Sequence, residues 1–235
     1  MCEKESAGGC LLAGNVWKFL WNPASGSYHL PNIIRDGLNQ AGIKIPPFAT
    51  VAVPDVSIPL LKLSLRLSQS TLSGLDAVQA AGFECMDGGE VTELVLGLRF
   101  QKLSFRGRYS VALAEPAAAP AGQPLLEGLF FDDALNVTMH LEARLDDQAG
   151  PVKVEIPRIA ADIQDLEIHF KRTDGDENLL TQLQTWVANL WIVKTALKKA
   201  VAAGLDAQPV REALAKAIQA AIGQIGASQT ERRAS

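Results

Sequence analysis

Between Leu94 and Leu145 apolar and polar residues alternate along three runs. Leu94, Leu96, Leu98 and Phe100 share one parity while Val95, Gly97, Arg99 and Gln101 take the other, the period of two that belongs to a strand. Tyr109, Val111 and Leu113 repeat it. The clearest run is Leu135, Val137, Met139, Leu141, Ala143 and Leu145, interleaved with Asn136, Thr138, His140, Glu142 and Arg144. Strands with one apolar and one wet face predict an antiparallel sheet with a solvated side. The apolar face needs a cover, and the helical pattern of the last ~50 residues is the simplest one.

Upstream, Leu11 to Trp21 predicts a short helix with Trp17 and Trp21 four residues apart. Leu30 to Ala41 predicts another: Pro31 suits a first turn, Ile33, Ile34, Leu38 and Ala41 have helical spacing, and Gly42 can end it. Pro46 and Pro47 open an extended segment, and apolar residues alternate again from Val51 to Leu72, with Pro54 and Pro59 confining the first part to an edge or a bend. Asp87-Gly88-Gly89 marks a hairpin. Glu115 to Pro124 reads as a loop, and strands resume over Leu125 to Asp147 and Val152 to Phe170, with Pro157 as a bend.

Asp174-Gly175-Asp176 stops the sheet. Leu179, Leu183, Trp186, Leu190, Leu197 and Val201 then lie on one helical stripe, predicting a helix over 177–203 that spans ~40 Å. Leu180, Val187, Trp191 and Ile192 widen the stripe, so most sides of this helix should be buried. Trp186 is expected to line the interior, and Trp191, at the margin, to be covered by a second helix or the N-terminal segment. Gly204 is the expected stop. Pro209 opens the second helix, whose stripe is Val210, Leu214, Ile218, Ile222 and Ile225, and the end of the chain is expected to fray.

Length and charge narrow the classes. At 235 residues the chain suits one domain. With 22 basic and 26 acidic residues, a net charge of -4 gives no large field to draw in nucleic acid or an anionic membrane. No run reaches the ~18 consecutive apolar residues of a spanning helix. Glu3 and Glu5 precede the first apolar stretch and Asn15 and Lys18 interrupt it, which leaves no readable secretory signal. As written the chain reads as cytoplasmic, and as secreted if it is a trimmed mature form. Cys2, Cys10 and Cys85 include no C-x-x-C pair and have no neighbouring histidine, which argues against a metal site. Cys2 and Cys10 would pair in an exported chain; otherwise the three are buried or inert thiols, the favoured reading.

Little in the chain suggests catalysis. His140 and His169 fall on the wet parity of strands and His29 in a turn, so all three read as surface residues. No G-x-S-x-G elbow, H-E-x-x-H helix or phosphate-cradling glycine loop occurs. Asp132-Asp133, after Phe130-Phe131, reads as a strand edge rather than half of an acid pair. Asp174, Asp176 and Glu177 lack the rest of a calcium loop and suit a helix start, where carboxylates complement the exposed N–H groups. Asn136-Val137-Thr138 is a glycosylation sequon that matters only in an exported chain. Arg99, Lys102, Arg106 and Arg108 fit a solvated strand face.

Gly42-Ile43-Lys44-Ile45-Pro46-Pro47-Phe48, followed by Val51-Ala52-Val53-Pro54-Asp55-Val56-Ser57-Ile58, resembles the glycine-then-proline entry into the first long strand of the takeout and juvenile-hormone-binding branch of the TULIP lipid-binding superfamily. Phe105-Arg106-Gly107-Arg108-Tyr109 is similar to that branch's strand pair closing on a glycine and a tyrosine. Ile168-His169-Phe170, leading through Asp174-Gly175-Asp176-Glu177 to Leu179-Leu180, resembles its passage from last strand to long helix. The likeness covers roughly Asn32 to Ile225, in order as well as spacing.

The resemblance implies an α+β fold in which a strongly curved antiparallel sheet wraps a long C-terminal helix and encloses an apolar tunnel. It implies one domain over 1–235: an N-terminal segment (1–26), a helix plus curved sheet (27–172), long helices (176–226) and a frayed tail (227–235). The expected function is non-catalytic binding or transport of a hydrophobic small molecule, a lipid, fatty acid or terpenoid-like compound. Leu94, Leu96, Leu98, Phe100, Leu135, Val137, Met139, Leu141, Leu183, Trp186 and Leu190 are the expected lining. No catalytic residue, metal or cofactor is expected. The expected partners are that ligand and a transient membrane contact, with no nucleic acid and no transmembrane segment. Affinity would come from burial, at about 25 cal/mol per Å². The alternative is a membrane- or protein-interaction module with a filled core, docking through Val210 to Ile225 or the tryptophan-bearing N-terminus.

Overall fold

The computed structural model describes residues 7–40, 42–60, 62–87, 91–113, 124–146, 152–175, 177–189 and 191–234. In chain order the elements are α1 (Ala7–Leu20), α2 (Leu30–Asp36), β1 (Leu38–Gln40), β2 (Ile43–Ile45), β3 (Thr50–Val53), β4 (Val56–Leu60), β5 (Leu63–Ser73) and β6 (Gln79–Asp87). They continue with β7 (Thr92–Leu113), β8 (Leu126–Asp146), β9 (Lys153–Gly175), α3 (Glu177–Asn189), α4 (Trp191–Leu205) and α5 (Gln208–Ala234). The fold is α+β, an antiparallel sheet followed by C-terminal helices.

β1 and β2 form a small hairpin, and the other seven strands make one sheet in the order β3-β5-β7-β8-β9, with β4 also on β5 and β6 also on β7. Every described pairing is antiparallel. Pro54 and Pro59 do fall at an edge, because β3 and β4 pair only with β5. β7, β8 and β9 run for 22, 21 and 23 residues, about four times the usual strand length. Pro157 sits where β9 slips register against β8, between Arg158 and Glu155, as a residue without an N–H must.

The sheet curls. α4 packs against β9 at one edge and against β3 and β4 at the other. Gly204 makes the close approach possible, since a Cβ there would meet Val53 Cγ2 at 2.8 Å. Gly204 is a contact residue in the last turn of α4, which ends at Leu205, one residue beyond the expected stop.

Other expectations also change. The helix expected over Leu30–Ala41 ends at Asp36, because Gly37 turns to φ 77° and sends Leu38 into pairing with Ile45. The helix expected over 177–203 is described as α3 and α4 on either side of residue 190, and ends at Leu205. The tail expected to fray from 227 falls within α5, which runs to Ala234. Residues 88–90 and 115–123, expected as turn and loop, lie outside the described residues, although Asp87 pairing with Thr92 bears out the hairpin.

The cysteine expectation is overturned. Cys10 is bonded to Cys85, across 75 residues, neither paired with Cys2 nor a free thiol. Cys85 pairs in register with Leu94, and Trp17 stacks on Phe83, two residues from Cys85, at 6.0 Å. α1 is thereby fastened along β6. Its Ala13, Val16 and Leu20 are buried in the common core.

Candidate ligand-binding interior

β7 and β8 each change parity once. On β7 the buried positions are even from Leu94 to Phe100 and odd from Leu103 to Val111. On β8 they are even from Leu126 to Ala134 and odd from Val137 to Leu145. The two changes coincide, since Phe100 pairs with Val137 and Lys102 with Leu135. Asn136, exposed and at φ 50°, marks the place on β8. β9 changes beside them, between Ile163 and Leu166. The inner surface thus has two halves.

In the first half, Leu94, Leu96, Leu98 and Phe100 lie opposite Ala143, Leu141, Met139 and Val137, and all eight are buried. Seven of the eleven expected lining residues therefore form one patch. Ile159 and Ile163 of β9 extend it. α1 covers this half from β6 and β7, and α5 packs on α1 and β9. Leu135 does not belong to the patch: the parity change leaves it half-buried and gives the inner position to Ala134. Leu113, at the end of its strand, is 60% exposed rather than inward.

In the second half the inner row runs Leu126, Gly128, Phe130, Asp132 and Ala134 on β8, beside Val111, Tyr109, Gly107, Phe105 and Leu103 on β7. Leu183 is fully buried here, on α3, next to Gln184, whose Nε2 donates to the Phe170 carbonyl. The expected wall of sheet and helix residues is thus divided between the halves. The side chains of Trp186 and Leu190 lie outside the described residues. Trp191 is 75% exposed and not covered by another segment, because α4 turns its Val193, Leu197, Ala200 and Val201 inward.

Asp132 was missed by sequence reasoning. It lies in the middle of a strand, 2% exposed, between Phe105 and Ile168, and neither carboxylate oxygen has a hydrogen-bond partner. Burial, reinforced by Asp133, Asp165 and Glu167 and opposed by Lys194, pushes its pKa to about 8. Asp133 points outward to Lys102 and accepts from Ser104 Oγ. The adjacent aspartates are therefore not an acid pair. Parity could have indicated this: Asp132 shares the even phase of Phe130 and Leu126. Ser70 Oγ and Tyr109 Oη are likewise buried without partners, and burial raises the tyrosine pKa.

The remaining polar groups match surface readings. His140 and His169 are exposed, and Arg106 lies over the Phe131 ring on the outer face. Among the described residues no group of three His, Cys, Asp or Glu side chains could hold a metal, and no helix is long and apolar enough to cross a membrane.

No family model and no curated protein matches the chain. Among solved structures it is similar to Takeout 1 of Epiphyas postvittana, at 18% identity over 84% of this chain and 87% of that one, with a TM-score of 0.49. It is also similar to lipopolysaccharide binding protein, at 15% identity over 67% of this chain and 34% of that one (TM-score 0.37), and to latherin, at 12% identity over 90% and 81% (TM-score 0.21). It spans about a third of the lipopolysaccharide binding protein. The long antiparallel sheet curled on its C-terminal helices is the arrangement that the sequence resemblance implied.

Proposed function

We propose that the chain is a single-domain, non-catalytic carrier of a hydrophobic small molecule, held between the curled sheet and its helices. The observation that carries this reading is the length of the apolar inner face. It runs from Leu94 to Phe100 and from Leu103 to Val111 along one strand, broken only by Gly107, and faces a buried row on the next strand that is apolar except for Asp132. A core that needs only to close a small domain does not require strands of this length. The lining proposed is Leu94, Leu96, Leu98, Phe100, Val137, Met139 and Leu141 in one half, with Leu183 in the other; Trp186 and Leu190, which share its helical stripe in the sequence, complete the proposed lining. Leu135 would stand at the boundary. Exposed Trp191 and Ile192 at the start of α4 suit a transient contact with a membrane during loading.

Titration of delipidated protein with N-phenyl-1-naphthylamine tests the reading. Saturable one-to-one enhancement of its fluorescence at micromolar concentration is expected, together with a co-purifying apolar molecule in native mass spectrometry. The absence of both sinks the carrier and leaves the filled-core interaction module, for which exposed Trp191, Ile192 and Leu11 would be the docking residues.

A further inference from the structure

Resting on the carrier reading, we infer that Asp132 is the polar anchor of the interior, and that it selects an apolar ligand ending in an uncharged hydroxyl over one ending in a carboxylate. The first ground is an unmet need. A buried polar group without a partner is costly, and both oxygens of Asp132 are orphaned at 2% exposure. Its neighbours on the inner face are Phe105, Phe130, Ala134 and Ile168, none with a side-chain donor to offer.

The second ground is that Asp132 is not alone. Ser70 Oγ and Tyr109 Oη are orphaned on the same inner face, one on each side of Gly107. A Cβ at Gly107 would meet Ser70 Oγ at 2.8 Å and Phe130 Cε1 at 2.7 Å, so the serine hydroxyl and the Phe130 ring both border the space over Gly107. Tyr109 meets Phe170 edge-on at 4.8 Å, and Phe105 meets Phe130 at 4.9 Å. Three unsatisfied polar groups thus share an aromatic strip roughly 13 Å long, four residues of strand at ~3.3 Å each. This is the composition of a small-molecule site: mostly apolar walls with a few polar groups that fix orientation.

The third ground is the sign of the local charge. Asp133, Asp165 and Glu167 act on Asp132 with only Lys194 against them, and Lys194 is already 3.9 Å from Asp165. A carboxylate brought beside Asp132 would meet like charge in a medium of low dielectric. A hydroxyl both donates and accepts, and a carboxyl offers it both partners.

Competition against N-phenyl-1-naphthylamine with dodecanol and dodecanoate, at neutral pH, tests the inference. Dodecanol is expected to displace the probe at about tenfold lower concentration than dodecanoate. Asp132→Leu should weaken dodecanol about tenfold relative to the probe, the worth of one buried hydrogen bond. Asp132→Asn, which still donates and accepts, should keep the preference. Equal displacement by both ligands, or an alcohol affinity unchanged in Asp132→Leu, overturns the anchor and leaves the carrier standing. Failure of the probe and both ligands to bind overturns the carrier as well. Because leucine relieves the buried carboxyl, that variant is expected to fold at least as stably as the parent, and its melting temperature checks this.

Discussion

At the scale of single residues, Asp132 governs how stability depends on pH. Its folded pKa of about 8 lies above the ordinary value of 3.8, so between those values the folded chain holds a proton that the unfolded chain has released. That contribution is complete below the unfolded value and is lost as pH rises through the folded one, at roughly 1 kcal/mol per pH unit. Chemical denaturation from pH 4 to pH 8 should show the decline, and Asp132→Asn should flatten it. A slope the same in both proteins would show that another group is responsible. Trp186 supplies a second residue-scale prediction, since it shares the α3 stripe with buried Leu183. Trp186→Phe is expected to reduce the fluorescence change on ligand binding; an affinity and a fluorescence response identical to the parent would remove Trp186 from the lining.

Among the elements, α1 is held by a bond as well as by packing. The Cys10–Cys85 bridge constrains a long loop in the unfolded chain, worth roughly 4 kcal/mol, and it fastens the helix that covers Leu94 and Leu96. The Cys10→Ser, Cys85→Ser double variant should lose stability of that order and exchange the α1 amides faster than those of β7. Equal melting in the presence and absence of reductant would count against the bridge. Gly107 of β7, which faces Phe130 of β8 and Ser70 of β5, is a second test. A methyl group there would press on Phe130, Ser70 and the Ser68 carbonyl, so Gly107→Ala should destabilise by about 1 to 3 kcal/mol. Gly82→Ala in β6, which meets open space, is the control.

For the whole molecule, α4 packs on strands that are not neighbours in the sheet, and helices from both ends of the chain pack on that sheet. Ligand uptake into such an interior buries apolar surface from both partners. Calorimetry at several temperatures is expected to give a negative heat capacity of binding. A value near zero, with saturable binding, would place the ligand on the surface instead.

Alternation from Leu94 to Phe100 and from Val137 to Leu145 was enough to find the long strands and most of the buried patch, because a period of two is local physics: side chains on a pleated backbone point to opposite faces whatever packs on them. The proline at an edge, the hairpin after Asp87 and the C-terminal helices were legible for the same reason. What failed depended on distant partners. The parity change at Asn136 needs β7, β8 and β9 to break step together, and it moved Leu135 off the inner face. The contact that Gly204 makes with Val53, some 150 residues away in the chain, was not legible in its position near a helix end. Cys10 found Cys85 only once α1 lay along β6, and Asp132 acquired its character only when Phe105, Phe130 and Ile168 closed around it. Local periodicity determined which segments would be strands and helices; burial, which sums over the whole fold, decided which polar groups would be left inside.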